Sequence, residues 1–150
     1  MKRSFVILIF LAVVLPGCLS AQKKDFGVGV ILGEPAGVSI KKWLGEKIAI
    51  DGALAWSFAN NGAFHLHADY LVHDFSLIQV KKGKLPVYYG IGARIKSNGD
   101  ITVSARLPFG ISYLFEKAPI DIFFEFALLL DVTPGSKFWL NSGIGFRYYF

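Results

Sequence analysis

The sequence predicts an all-β protein, specifically an eight-stranded antiparallel up-and-down transmembrane β-barrel. After residue 25, large apolar residues alternate with small or polar ones at the two-residue period of strands that have two different faces. Turn-forming sequences such as "ANNG" and "SNGD" separate the alternating segments. In addition, 53% of the 150 residues are hydrophobic and only 18% are charged, unlike the balance of an ordinary soluble domain.

The first four predicted strands share one pattern. Near residues 26–33, large apolar residues alternate with glycines. Near residues 37–44 the pattern is weaker, because two adjacent lysines fall on opposite faces. Residues 48–58 set isoleucine, leucine and tryptophan against alanine and Asp51, and residues 64–73 set apolar residues against three histidines and an aspartate. Each segment therefore has one apolar face and one small or polar face.

The last four predicted strands continue this pattern. Residues 87–96 set valine, tyrosine and isoleucine against glycine and arginine, and residues 101–111 set apolar residues against threonine, serine and arginine. Residues 120–130 oppose large apolar residues to acidic ones, and residues 138–150 form the closing strand. Eight consecutive antiparallel strands imply a meander, and closure into a barrel removes the exposed strand edges.

The first 21 residues predict a secretory signal peptide. Lys2 and Arg3 form a basic region, and an apolar run over residues 5–15 follows it. We therefore expect a signal peptide over residues 1–21 and an outer-membrane barrel domain over residues 22–150.

The sequence "LPGC" offers a second interpretation, a lipoprotein signal that leaves Cys18 lipidated. Cys18 is the only cysteine, so no intramolecular disulfide can form. Removal of Lys2 and Arg3 from the 16 basic residues leaves 14 against 11 acidic ones, a net charge of +3. Because no basic stripe interleaved with aromatics occurs, we expect no nucleic-acid partner.

The polar face is predicted to line the lumen and the apolar face to contact lipid. The polar face is small and rich in glycine, as a narrow eight-stranded barrel requires. The opposite face carries almost no charge over segments about 9–11 residues long, the length of a tilted membrane strand. Aromatic residues near the strand ends are typical of interfacial girdles: Trp43, Trp56, Phe58, Tyr113, Phe115, Phe138, Trp139, Tyr148, Tyr149 and Phe150.

The charges on the polar face have both signs and can pair inside a lumen. We expect the three arginines to neutralise Asp51, Asp69 and Glu125 in this lumenal polar network. Its predicted members are Asp51, His65, His67, Asp69, His73, Arg94, Arg106, Asp121, Glu125 and Arg147.

The connections differ in length. Those expected on the outer side are short: 33–37, 59–62, 97–100 and 131–137. The longest connection, 73–86, departs from the strand parity at Phe75, and a bulge, a short helix or an extended periplasmic turn would each explain this. Its three lysines, at 81, 82 and 84, are most simply interpreted as a solvated turn.

Several quoted segments resemble a known family. The sequences "GVILGEPAGVSIKKWL", "AIDGALAWSF", "HLHADYLVHDF", "LPVYYGIGARIK" and "GIGFRYYF" resemble a family of uncharacterised small bacterial outer-membrane β-barrel proteins, of the OmpX type. Phe150, Tyr148 and Gly145 are similar to the signal read by the barrel-assembly machinery, although Gly143 stands where a polar residue is usual. The resemblance implies a Gram-negative outer-membrane location after removal of the signal peptide.

We accordingly expect a monomeric, non-enzymatic barrel of structural or interaction type, with no cofactor, whose partners are outer-membrane lipid and the assembly machinery. A lipid-modifying enzyme is one alternative, since His65 and His67 lie about 6.8 Å apart on one strand face and could share a metal or orient a nucleophile. No lipid-facing Ser–His–acid arrangement is found, so no catalytic or metal-binding residue is predicted. A soluble periplasmic lipocalin-like binder of an apolar ligand is the other alternative.

Overall fold

The computed structural model describes residues 24–59 and 62–150, so the predicted signal peptide and Cys18 lie outside the described residues. Eight strands form in chain order. They are β1 (Phe26–Glu34), β2 (Ala36–Trp43), β3 (Ile48–Ser57), β4 (Ala63–Asp74), β5 (Val87–Ser97), β6 (Ile101–Leu114), β7 (Ile120–Thr133) and β8 (Lys137–Tyr149). No helix in this part of the chain is long and apolar enough to cross a bilayer.

The strands form one closed antiparallel barrel in sequence order. Each strand pairs with its neighbours along the chain, and β8 pairs with β1 from Gly27 opposite Tyr149 to Glu34 opposite Ser142. The predicted fold class, an all-β eight-stranded antiparallel meander closed into a barrel, is therefore confirmed. Closure pairs both edges of every strand, which leaves no free sheet edge.

The barrel has a polar interior and an apolar exterior. From Ala63 to Leu71 the side chains of β4 alternate between buried and exposed, with His65, His67 and Asp69 buried and Phe64, Leu66 and Tyr70 exposed. On β7 the same alternation places Asp121 and Glu125 inside and Phe124 outside. A strand can present two chemically different faces because successive side chains point to opposite sides of the sheet.

The two ends of the barrel are closed by connections of different length. At the short-turn end, strands are joined by Pro35 alone and by residues 58–62, 98–100 and 134–136. At the long-loop end, the connections are residues 44–47, 75–86 and 115–119. The 131–137 connection is shorter than predicted, because β7 continues to Thr133.

The anomaly in the longest connection has a simple structural reason. β4 ends at Asp74, whose carboxylate accepts hydrogen bonds from the backbone N–H of Ser76 at 2.8 Å and from its hydroxyl at 2.6 Å. This local turn ends the strand, so Phe75 and the residues after it no longer follow strand parity. Of the three explanations considered, the structure has the extended turn, because residues 75–86 contain neither a helix nor a strand.

Candidate functional site: the polar interior of the barrel

The ten residues expected in the lumenal polar network are all buried, none more than 9% exposed. They are joined inside by further buried polar residues, notably Lys41, Ser104 and Asp131. Among the buried charged side chains of residues 24–59 and 62–150, four are basic and five are acidic. A lumen with such a balance neutralises itself and lacks the single-sign ring of charges that selects ions in a pore.

The centre of the interior is organised around Arg106 on β6. Its guanidinium donates to Asp69 on β4 and to Glu125 on β7. The hydroxyl of Tyr88, on β5, donates to the other oxygen of Glu125 at 2.8 Å. Charge-assisted hydrogen bonds of this kind are stronger than neutral ones, so Arg106 connects the barrel across four strands.

Two glycines make these contacts possible. Gly92 on β5 lies in register between Asp69 and Arg106, and Gly110 on β6 lies in register between Tyr88 and Glu125. A Cβ atom at Gly92 would clash with the Asp69 side chain, and one at Gly110 would clash with the Phe124 carbonyl oxygen and with the Tyr88 ring. Long side chains therefore reach the next strand but one by passing over a glycine, which explains why the interior face is so rich in glycine.

Arg147 on β8 organises the half of the interior near the long-loop end. Its guanidinium lies 3.6 Å from a carboxylate oxygen of Asp51 and 3.6 Å from one of Asp121. The same group lies 3.8 Å from the centre of the Phe123 ring. Asp121 also accepts a hydrogen bond from the Tyr149 hydroxyl at 2.6 Å. The cation is thus held by two carboxylates and one aromatic face.

The third arginine has a partner that was not predicted. Arg94 pairs with Asp131 at 3.0 Å and not with Asp51, Asp69 or Glu125. Ser104 donates to Asp131 at 2.6 Å, and the indole of Trp139 donates to its second oxygen at 2.8 Å. The expectation was wrong because Asp131 was assigned to a connection, whereas β7 extends beyond it and turns it inward.

Lys41 and His73 close the interior at the long-loop end. The Lys41 ammonium lies 2.8 Å from Nε2 of His73 and 4.4 Å from the centre of the Trp43 ring. The His73 ring lies 4.4 Å from the Trp43 ring and 5.3 Å from the Tyr88 ring. Lysine and aromatic rings therefore cover this mouth from the inside.

The three histidines do not share a site. His73 contacts Lys41, His67 lies 3.8 Å from Asp69, and neither ring nitrogen of His65 has a hydrogen-bond partner among the described residues. One donor atom each from Asp51, His67 and Asp69 lie within 4.8 Å of one another. Because guanidinium groups already neutralise both aspartates, a divalent cation at the same point would meet two positive charges. The arrangement suits ion pairing better than metal binding.

Free space of two sizes borders the interior side chains. A space of about 620 Å³ lies beside β2, β3 and β4, lined mainly by outward residues such as Val38, Ile40 and Leu54 and reaching His67. A cavity of about 20 Å³ lies near the short-turn end, against His67, Arg106 and Glu125. A volume of this size holds roughly one water molecule. His67, Arg106 and Glu125 in its lining offer that molecule hydrogen-bond partners.

Sequence reasoning missed several interior residues. Lys41 has the same parity as the small residues Gly37 and Ser39, and this signal identifies it as inward-facing. Phe123 and Leu129 are fully apolar and nevertheless buried inside, at odd positions of β7 between the acidic residues. Parity was therefore the useful signal, whereas polarity alone overlooked large apolar residues that face inward.

The aromatic residues near the strand ends divide into two groups. Trp43 and Trp139 lie over the two mouths, and Tyr149 is buried, so these three do not belong to an outer girdle. Most of the remaining members are exposed on the outside: Trp56, Phe58, Phe115, Phe138, Tyr148 and Phe150. The girdle interpretation was wrong for Trp43 and Trp139, because odd parity on β2 and β8 turns their rings inward. Tyr149 has the parity of Arg147, and this pattern places it on the lumen face of the last strand.

The chain matches no protein-family model and none of the curated proteins. Among solved structures, it is similar to the crystal structure of the N-terminal β-barrel domain of Pseudomonas aeruginosa OprF, with a TM-score of 0.63 and 13% sequence identity. The match covers 85% of this chain and 98% of that domain. At that identity the likeness concerns the fold, and it agrees with the closed barrel described above.

Proposed function

We propose that this protein is an integral outer-membrane β-barrel of structural or interaction type, without catalytic activity, whose lumen is filled by its own side chains. The observation that carries the proposal is the inversion of the two faces. Among the described residues, four arginine and lysine side chains and five carboxylates are buried inside, while large apolar side chains from all eight strands are exposed.

The exterior supports contact with lipid. Soluble monomers rarely expose contiguous apolar patches above a few hundred Å², yet here apolar residues are continuous around the barrel. The closed barrel satisfies its backbone hydrogen bonds between strands, which is the condition for crossing a bilayer with β-structure. Leu54, Ile91 and Leu107 represent this surface on three different strands.

The interior supports a filled lumen without catalysis. An apolar ligand of the lipocalin type needs a large cavity inside the barrel, whereas the interior space against His67, Arg106 and Glu125 is about 20 Å³ in volume. A larger apolar space of about 620 Å³ is lined mainly by outward residues such as Val38, Ile40 and Leu54, on the surface proposed to contact lipid. A lipid-modifying enzyme must meet its substrate from the membrane side, and the histidines face inward. In this proposal the arginines and carboxylates hold the strands together and fill the lumen.

The terminal strand is proposed to carry the signal for the barrel-assembly machinery. Tyr148 and Phe150 are exposed and stack edge to face, with ring centres 5.0 Å apart, while Gly145 faces inward beneath the Phe123 ring. Replacement Phe150→Ala should lower the amount of barrel inserted in cells, while refolding of the purified variant into detergent is unchanged. Equal insertion of the variant and the parent would contradict this role.

Membrane location is tested by fractionation. We expect the full chain in the outer-membrane fraction, and a faster band on gels for unheated than for boiled samples. Release into the periplasmic fraction would favour the soluble binder.

The filled lumen is tested in planar bilayers, where no steady ion conductance is expected. The absence of catalysis is tested with the variant His67→Ala, which should leave lipid A composition unchanged. A changed composition would favour the enzyme.

A further inference from the structure

The longest connection, residues 75–86, has a composition unlike that of the other loops. Leu77 is 66% exposed, and Ile78 and Val80 are also exposed. Three exposed lysines follow directly, at positions 81, 82 and 84. We call residues 75–86 the lysine loop. Exposed apolar residues beside lysines are not explained by a merely solvated turn.

The lysine loop is fixed to the rim of the barrel. Lys84 and Leu114 exchange two backbone hydrogen bonds, at 3.0 and 2.8 Å, and the backbone carbonyl of Lys82 accepts a hydrogen bond from the Tyr113 hydroxyl at 3.0 Å. Tyr113 follows Phe109 and Ile111 on the outward face of β6. The loop therefore lies where the apolar exterior meets the long-loop end.

The charges of the two barrel ends differ. At the short-turn end two lysines face two acidic residues, Glu34 and Asp100. At the long-loop end, seven lysines outnumber four acidic residues, a net charge of +3 among the described residues. Those lysines are Lys24, Lys42, Lys47, Lys81, Lys82, Lys84 and Lys117. The lysine loop contributes three of them, more than any other connection at this end.

This combination fits one partner. Apolar side chains enter the boundary between headgroups and acyl chains, aromatic residues lie at headgroup level, and nearby lysines are attracted to anionic headgroups. We propose that the lysine loop binds the headgroups of anionic phospholipids in the leaflet at the long-loop end. Leu77, Ile78 and Val80 enter the interface, and the three lysines pair with phosphates. This inference rests on the proposed membrane location.

The test places a polarity-sensitive fluorophore on Leu77→Cys in the full chain, with Cys18→Ser as background. The protein is reconstituted in vesicles of phosphatidylcholine alone or mixed with phosphatidylglycerol. We expect a blue shift of emission and several-fold stronger quenching by headgroup-proximal nitroxide lipid in the anionic vesicles. The same label on Asn98→Cys, at the short-turn end, should show no such difference.

Charge is tested by the variant Lys81→Gln/Lys82→Gln/Lys84→Gln, which should lose the preference for phosphatidylglycerol, whereas Lys117→Gln should retain most of it. Equal access of aqueous iodide to positions 77 and 98 in both vesicles would overturn the proposal. Lipid quenching at 77 that is independent of both phosphatidylglycerol and the lysines would also overturn it, because the anionic headgroup would then have no role.

The label on Ile91→Cys separates the two proposals. Ile91 is exposed on the outside of β5, so quenching there by nitroxide placed deep in the acyl chains reports membrane insertion. If position 91 is quenched and position 77 is not, only the lysine-loop inference fails. If position 91 is not quenched in a folded sample, the membrane proposal itself fails.

Discussion

The interior and the exterior of this barrel are built by the same strands under opposite requirements. Inside, most large polar residues have particular partners, as Arg106 has in Asp69 and Glu125. Outside, residues such as Ile91 and Leu107 share only an apolar character. At an interior position, the contacts with particular partners restrict which residue can be accepted. At an exterior position, any large apolar residue meets the requirement.

The largest expected effect comes from breaking an interior ion pair. Arg147→Met should lower the free energy of unfolding by about 3–5 kcal/mol, because Asp51 and Asp121 would remain buried without their cation. The measurement is urea unfolding in lipid vesicles, followed by the unheated band on gels. Leu107→Met, on the exterior, is the control and should change little; a loss below about 1 kcal/mol in Arg147→Met would contradict the asymmetry.

A charge placed on the exterior tests the other half of the comparison. Leu107→Arg should cost about 2–4 kcal/mol, since a cation near the middle of the lipid-facing surface is poorly solvated. The same unfolding assay applies. If the exterior contacted water, the substitution would be nearly neutral, so a cost within experimental error would refute lipid exposure at this position.

Two adjacent tyrosines sharpen the comparison within one strand. Tyr88 is buried and donates to Glu125, whereas Tyr89 faces outward. Tyr88→Phe should cost about 1.5–3 kcal/mol, the usual range for a lost hydrogen bond to a charged group. Tyr89→Phe should be close to neutral. An equal loss of unfolding free energy in the two variants would show that the inward position of the Tyr88 hydroxyl adds no stability.

The smallest expected effect concerns shape alone. Leu129 is fully buried in the interior and its neighbour Leu128 is exposed outside. Leu129→Ile should cost up to about 1.5 kcal/mol because it must repack against fixed neighbours. Leu128→Ile should stay within about 0.5 kcal/mol. A larger cost at Leu128 would mean that the exterior also imposes specific packing.

Much of the fold could be predicted from the sequence because the two-residue period is a local property. The eight strands follow from parity, which also places the ten polar residues on one face. The small, glycine-rich character of that face and the near absence of charge on the other indicate that it points inward. The pairing of Arg94 with Asp131 could not be predicted, since it depends on how far β7 extends and on the register between strands. The same holds for Arg106 and Asp69, which meet only because Gly92 lies between them in register.

The structure of the lysine loop could not be predicted for a different reason. Its apolar residues show no periodic pattern because they belong to no strand. The sequence was therefore compatible with a bulge, a short helix or an extended turn. What holds it is non-local: the Tyr113 hydroxyl and the Leu114 backbone come from a strand that begins many residues later. Contacts between segments so far apart in the chain cannot be predicted from the local sequence pattern of either segment.

The pairing of β1 with β8 has a consequence for connectivity. Because the first and last strands pair with each other, the same closed set of strand pairs can form from a chain that begins at another strand. A circular permutant that joins β8 to β1 through a linker and opens the chain at Pro35 would keep every strand pair. It would lose only the covalent connection between β1 and β2. Its stability should differ mainly by the modest closure entropy of the new linker, which grows only slowly with linker length.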